Sequence, residues 1–385
     1  MAGRGDRVGH TTIKVLLHPT AGQAALFEQT FGCCRYLWNQ MLADEQRFYR
    51  ETGEHFLPTP ARYKKEAPFL KEVDSLALAQ VHQNLKQAFD HFFRRPETYR
   101  YPVFKRKKEG RESYTTCCQY YPSGRGSSIY LTRDGIRLPK VGVVRAVLYR
   151  RPLHWWTLKT ATVSRSPTGK YFCSLLFAFP QKEPGPVNPT PDSTLGLSQA
   201  PGCLYVDSQG SRCELPRWLD RSREKLARLQ AGLARMERGS RNYEEQQDRI
   251  RRLHEHMANQ RKDFLHKESR RIANAWDAVC VRECDLQAMT RLTGREADGF
   301  GLLRTFLTYK LEEQGKALVT VDPYFPSAKT CSRCGYVYRA LPDSAARWQC
   351  PACGAMHRRG VNGAVNLRDR GLAQLYAARG LSTPR

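Results

Sequence analysis

Four cysteines near the C-terminal end restrict this chain more than any other feature. They stand as Cys331-x-x-Cys334 and Cys350-x-x-Cys353, with 15 residues between the pairs. That is the spacing of a four-thiolate zinc site, in which two tight knuckles share one tetrahedral ion. A glycine follows the second cysteine of each pair (CSRCG and CPACG). It eases the turn that aims backbone N–H groups at sulfur. Four thiolates close the shell, so such a site is structural rather than catalytic. A redox role for either pair is the competing reading, and two matched pairs are better explained by one metal. His357, just past the second pair, reads as a nucleic-acid or packing residue outside the ligand set. The remaining cysteines of the 13 are scattered, mostly in apolar surroundings, where Cys acts as a small core residue. An odd total argues against a disulfide framework.

Charge is the second constraint. The 385 residues include 63 Lys and Arg against 37 Asp and Glu, a formal net charge of +26. A few excess charges would serve solubility, but this excess attracts polyanions, and nucleic acid is the natural one. Hydrophobic residues make up 41%, enough for a folded chain of two or three domains with a large core. No apolar run approaches the roughly 20 residues that span a bilayer, so no membrane partner is expected. The opening MAGRGDRVGHTTIK lacks the apolar core of a secretory signal, which points to a reducing cytosol.

Along the chain, residues 11–19 alternate as a strand. Thr20 is placed to cap a helix carrying Phe27, Phe31, Leu37, Trp38 and Met41. A second helical pattern at 75–93 carries Leu78, Val81, Leu85 and Phe89. Both stripes read as core. From Arg94 the chain turns basic with interleaved aromatics (RRPETYRYPVFKRKKEGRES), and Lys105, Arg106, Lys107 and Lys108 are consecutive. One reading is a solvated loop. The other, favoured by the overall charge, is a phosphate-contacting loop with Tyr101 and Phe104 as stacking platforms.

Residues 128–179 are β-rich and, with the first strand, suggest a small β-barrel interrupted by helices. QKEPGPVNPTPD (181–192) is a Pro-rich boundary. Beyond it the pattern predicts a hairpin at 194–198 and 202–206. A charged helix hairpin follows at 215–277, broken near Gly239-Ser240. Then come a strand at 278–282, a helix at 300–314, a strand at 317–321 and a last helix from about Asn362. This order suggests an α/β domain on a mixed sheet, with its chemistry at the strand ends.

At FGCCRYLWNQML, ANQRKDFLHKESRRIANAWDAV, LTYKLEEQGKALVTVDPYFPSAKTCSRCG and VNGAVNL the chain resembles the TnpB proteins. These are transposon-encoded RNA-guided nucleases, relatives of type V CRISPR effectors, and the match runs almost end to end. The resemblance implies a multidomain α+β protein. A wedge-type β-barrel (1–20 and 100–182) would carry an inserted helical recognition domain (21–99). A RuvC-like (RNase H-like) α/β domain (183–385) would hold the helix hairpin (215–277) and a four-cysteine zinc ribbon (328–356). It also implies a guide RNA and a double-stranded DNA target with a short adjacent motif as partners, in a bacterial cytoplasm at the nucleoid. In such systems base pairing reads sequence, while the protein reads duplex shape and the adjacent motif. The expected nucleic-acid contacts are Lys105, Arg106, Lys107, Lys108, Arg251, Arg252, Lys267, Arg270, Arg271, Arg358 and Arg359.

A RuvC-type site needs three carboxylates around two divalent cations about 3.5–4 Å apart. Carried over residue by residue, the first acid position falls on Ser198, the second on Glu283 and the third on Gly360. One of the three acids remains. Asp207 is expected to pair nearer Leu195 than Ser198, roughly 10 Å away along the strand. Asp192 and Asp369 lie farther off, and Asp285 could flank Glu283 without replacing both lost acids. Structural zinc is therefore expected, and Mg²⁺ is not expected to bind productively. Three functions stand open: RNA-guided DNA binding without cleavage, repressing transcription by occupancy; an active RNA-guided endonuclease with displaced metal ligands; and an unguided nucleic-acid-binding accessory protein of a transposon.

Overall fold

The computed structural model describes residues 6–107, 112–121, 126–182, 184–200, 202–283 and 299–381. Lys108 and Asp285 lie outside these residues. The chain divides into two compact units, Met1–Lys182 and Glu183–Arg385.

The first unit opens with strand β1 (Asp6–His18). Thr20 then closes a capping box: it accepts from the Gln23 backbone N–H, and Gln23 Oε1 accepts from Thr20 N–H at 3.1 Å. Helix α1 (Ala21–Thr52) runs to Gly53, whose φ of 73° gives a left-handed cap. α2 (Pro60–Glu66) and a short 3₁₀ turn (Pro68–Lys71) lead to α3 (Ser75–Arg94), capped by Asp74. The remaining strands are β2 (Ser113–Cys117), β3 (Tyr130–Leu131), β4 (Gly135–Leu138), β5 (Gly142–Ala146), β6 (Thr157–Arg165) and β7 (Tyr171–Lys182). They form one sheet in the order β2-β6-β7-β1-β5-β4-β3. Ile13, Val15 and Leu17 alternate inward from β1 and join Phe27, Phe31, Leu37 and Leu85 in one core.

The expected closed barrel is not seen. Among the described residues β2 and β3 are opposite edges of an open sheet. β3 has two residues, too few for the row of hydrogen bonds that barrel closure requires.

The second unit holds β8 (Thr194–Ser198), β9 (Tyr205–Asp207), β10 (Arg212–Cys213), α4 (Arg217–Ala234), α5 (Arg241–Ala275), β11 (Ala278–Arg282), α6 (Phe300–Glu312), β12 (Ala317–Val321), β13 (Arg347–Gln349), β14 (Met356–Arg358) and α7 (Arg359–Arg379). Its main sheet is mixed, in the order β10-β9-β8-β11-β12. β8, β11 and β12 run parallel, and β9 returns antiparallel to β8. All five residues of β8 are buried, as expected for a strand covered on both faces. Leu303, Leu307 and Leu311 of α6 meet Leu265 and Ile272 of α5 in the core of this unit. Among the described residues no helix is long and apolar enough to cross a membrane.

α7 lies against β8, β9, β11 and β12, and glycines set how closely. A Cβ on Gly196 of β8 would collide with the Ala364 carbonyl and stand 2.9 Å from the Arg368 nitrogen. A Cβ on Gly371 would strike the side chain of Cys280. α7 also starts earlier than the sequence pattern suggests. It continues directly from β14, which puts Gly360 inside its first turn. Gly196→Ala should therefore lower stability by about 2–3 kcal/mol, because the obstructing atoms are backbone and cannot rotate away. Chemical denaturation checks this, and an unchanged midpoint would contradict the seating of α7 on β8.

Candidate functional site

The strand ends converge below the first turn of α7. Ser198 ends β8 and is 8% exposed. Its hydroxyl donates a long 3.5 Å bond to the Gln199 carbonyl. A Cβ on Gly360 would stand 3.2 Å from Val206 Cγ2, and one on Gly363 3.2 Å from Ser198 Oγ. Ser198, Val206 and Gly360 line one cavity of about 640 Å³. A recess of about 220 Å³ is lined by Ser198, Arg282, Phe300 and Arg359. Glu283 follows β11, and its N–H donates to the Val321 carbonyl at 2.8 Å while the residue itself is exposed. The structure thus brings Ser198 and Gly360 to one cavity, and Glu283 is not among the described residues that line it.

The neighbouring carboxylates are committed elsewhere. Asp207 pairs with Leu197, and Val206 with Ser198, which corrects the register expected from the sequence. The hairpin is centred one residue later than expected, and each one-residue shift of centre moves every partner by two. Asp207 is consequently near Ser198 in the ladder but on the opposite face of the sheet. Its Oδ1 accepts from the backbone N–H groups of Gln209 at 3.0 Å and Ser211 at 2.8 Å, capping the turn into β10. Asp369 is exposed and 2.8 Å from Arg368 Nε. Asp343 lines the cavity but is held by Lys329 at 3.3 Å and Arg359 at 3.0 Å. Those two cations keep its carboxyl below the usual range.

The four cysteine sulfurs lie within 4.8 Å of one another. Cys331 and Cys353 are 3.7 Å apart, and Cys334 and Cys350 3.6 Å. A tetrahedron with Zn–S bonds of about 2.3 Å puts its sulfurs about 3.8 Å apart, so the cluster fits such an ion. The two knuckles repeat each other. Gly335 N–H bonds the Cys331 carbonyl and Gly354 N–H the Cys350 carbonyl, both at 2.9 Å. Both glycines have positive φ, 78° and 72°, which explains their place in the motif. Burial opposes ionisation of Cys350, but the Cys353 and Ala352 amides and the adjacent thiols outweigh it and bring its thiol down to about 7.

His357 is tied to this cluster more closely than its spacing suggests. Its Nε2 is 3.0 Å from Cys331 Sγ, and its ring packs 4.6 Å from Trp348. Burial lowers its pKa. The asparagines after the cluster have a mechanical task that sequence reading missed. Nδ2 of Asn362 and of Asn366 donate to the Thr330 carbonyl at 2.7 and 2.6 Å, and both also reach the Ser327 carbonyl. Asn362 Oδ1 accepts from Ser332 N–H at 3.0 Å. The cysteine-bearing segment is thereby pinned to α7. The sequence signal was their spacing of four, which places both on one face of a helix.

The basic residues named from sequence fall in both units. Lys105, Arg106 and Lys107 are exposed in the first. Although the residue as a whole is exposed, Lys105 Nζ lies 3.7 Å from the centroid of the Trp38 ring, and this partial loss of solvent around the ammonium lowers its pKa. Tyr101 is not a free stacking platform: its hydroxyl donates to Glu45 at 2.8 Å, and its ring meets Phe89 and Phe92 edge-on. Phe104 remains 47% exposed. In the second unit Arg251 and Arg252 are exposed on α5, and Arg251 bonds Asp248. Lys267 pairs with Asp263 at 2.7 Å and Arg270 approaches Glu313 at 3.9 Å. Arg271 is locked between Glu268 at 2.7 Å and the Tyr205 hydroxyl at 3.0 Å. Arg359 bonds the Pro342 carbonyl at 2.6 Å as well as Asp343, and Arg358 is exposed.

A turn cap and a metal ligand respond differently to substitution. Asp207→Asn keeps the accepting oxygen and should leave stability within about 0.5 kcal/mol, whereas Asp207→Ala should lose about 1 kcal/mol. Paired denaturation curves check this; equal losses in both would show that the carboxylate charge, not the cap, is what the fold uses.

Three families match along the chain: one described as "Helix-turn-helix domain" at residues 10–54, "Probable transposase" at 195–293 and "Cas12f1-like, TNB domain" at 300–367. Over the first of these spans the structure has β1 and the single long helix α1. A "Putative RNA-guided DNA endonuclease" of Streptomyces pristinaespiralis is 31% identical over 97% of this chain and 92% of its own length. The "Putative RNA-guided DNA endonuclease InsQ" of Escherichia coli K12 is 27% identical over 94% of this chain and 92% of its own. Among solved structures, a Cas12f1–sgRNA–target DNA complex matches with a TM-score of 0.59 at 14% identity, covering 91% of this chain and 83% of that one; this is a likeness of fold. On the near full-length match to the Streptomyces relative and the domains it contains, the chain belongs to the TnpB family.

Proposed function

We propose that this chain is an RNA-guided protein that binds a double-stranded DNA target without cutting it and represses transcription by occupying the target. The observation that carries this reading is the cavity shared by Ser198 and Gly360. Two-metal hydrolysis needs several carboxylates at one point, and hard Mg²⁺ demands oxygen ligands in near-octahedral array. Here one position offers a buried hydroxyl, another no side chain, and Glu283 faces solvent. The one acidic residue among those described in the lining, Asp343, is engaged by two cations. The residues present do not fit a catalytic pair of magnesium ions.

Guidance and DNA targeting rest on the names of the relatives and on the +26 charge of the chain. We read the first unit as the wedge-type and recognition parts, and the second as a RuvC-like domain whose Ser198, Glu283 and Gly360 mark a lost metal site. The target would carry a short adjacent motif read by the protein. The exposed Lys105, Arg106, Lys107, Arg252 and Arg358 are the first choices for phosphate contacts by exposure, and Arg251, Lys267, Arg270, Arg271 and Arg359 follow. The four cysteines would hold structural zinc, closing the knuckles over α7.

Two measurements test this reading. RNA that copurifies should comprise a constant scaffold and a guide end, and a reporter should be repressed only when a guide-matched site overlaps its promoter. Repression independent of the match, or a preparation without bound RNA, would favour the unguided accessory protein. For zinc, the purified protein should carry about one equivalent per chain. Cys334→Ser should lose it and destabilise the second unit, because metal binding free energy is folding free energy here. Metal-free protein of unchanged melting temperature would sink the assignment.

A further inference from the structure

The cavity that lacks the carboxylates does not merely lack them; its lining has the opposite charge. Arg212, Arg347, Arg358 and Arg359 line it, against Asp343. Arg282 and Arg359 line the adjoining recess, with no acid among the described residues there. Arg347 and Arg358 are directly opposite each other on the β13–β14 pair. Both are exposed, and neither has an acidic partner among the described residues. Like charges directly opposite on neighbouring strands destabilise the pairing, so an anion between them would relieve a standing repulsion.

Two further features aim at the same space. The first turn of α7 lines the cavity through Arg359, Gly360 and Val361, and no side chain caps that helix, so its dipole favours negative charge there. Gly360 adds no side chain to that turn, where a Cβ would stand 3.2 Å from Val206 Cγ2. Ser198 is 8% exposed and lines the same cavity, and its hydroxyl spends itself on one 3.5 Å bond to its neighbour's carbonyl. A buried hydroxyl so weakly engaged is poised for a better acceptor or donor.

We propose that this cavity is a metal-free pocket for a phosphodiester group of a single nucleic-acid strand, gripped by Arg347 and Arg358 and faced by the first turn of α7 and the Ser198 hydroxyl. The inference rests on the reading that the site has lost its metals. A planar guanidinium presents paired donors to phosphate oxygens without needing a cation bridge. The change from Asp to Ser and Gly then does more than abolish cutting. It removes the negative charge that would repel a phosphate once no Mg²⁺ is there to mask it. The strand would be retained where a nuclease would sever it.

The test uses the full-length protein with a photo-crosslinking residue at Ala346, an exposed position in the lining. Single-stranded oligo-dT and oligo-rU of about 12 nucleotides, a length that fills one groove, are offered separately in EDTA and in Mg²⁺. The account expects crosslinking in EDTA, and the stronger of the two probes tells DNA from RNA. Arg347→Gln with Arg358→Gln should weaken EDTA binding about tenfold and flatten its salt dependence by roughly 0.7 in slope, the share of one phosphate on a single strand. The melting temperature of the free protein should hold or rise, which a merely structural role for the pair would not allow. Gly360→Asp should weaken EDTA binding as well. Absence of crosslinking in EDTA, with the strand intact in Mg²⁺, would overturn this pocket alone. Cutting of the strand in Mg²⁺ would overturn both it and the non-cleaving reading.

Discussion

The second unit depends on how close one helix comes to one strand. α7 rests on β8 at Gly196, where the Ala364 carbonyl leaves no room for a Cβ. That approach fixes the first turn of α7 beside Ser198 and Val206, so the cavity exists because the helix is so near. The same helix carries Asn362 and Asn366, whose amides hold the Ser327 and Thr330 carbonyls and so the entry to the cysteine cluster. One packing contact thus couples strand, cavity and cysteine cluster. A change at Gly196 should be felt at all three, since close-packed backbone cannot yield locally.

On this frame the chemistry is decided by few side chains. The sheet brings the ends of β8 and β9 to one cavity, and the hairpin puts an aspartate within a residue of Ser198 in the ladder. Yet Asp207 faces the other side of the sheet and caps a turn, and pleating leaves it no route to the cavity. What the cavity presents instead is guanidinium groups. A surface built this way attracts phosphate and repels a bare divalent cation.

Much of this was legible before the fold. The zinc-type spacing, the Thr20 cap, the break before Ser240 and the longer elements of the second unit follow from local chemistry that acts within a few residues, whereas the short β10, β13 and β14 were not foreseen. What was not legible depends on partners far away in sequence. α1 runs ten residues past its apolar stripe, because Glu45 is buried among His55 and Tyr101, and a hydrophobic pattern cannot show a satisfied carboxylate. The same bond removes Tyr101 from the stacking platforms. The barrel was over-read because alternation marks strands but says nothing of whether the last one reaches the first. Ser198 and Gly360 could be picked out as departures from a motif, and Arg358 and Arg359 as their basic neighbours in sequence, but Arg212, Arg282 and Arg347 could not be placed beside them. Those three come from β10, β11 and β13, and only folding brings them together.

The account stands or falls on whether the strand ends can cut. The most direct measurement loads the protein with the RNA that copurifies, adds a duplex matched to the guide end with the adjacent motif that its target carries, supplies Mg²⁺, and follows both labelled strands on a denaturing gel. The account predicts a stable complex on a native gel with both strands intact after prolonged incubation. Cleavage of either strand, lost on Glu283→Gln, would contradict it and restore a working nuclease with displaced ligands.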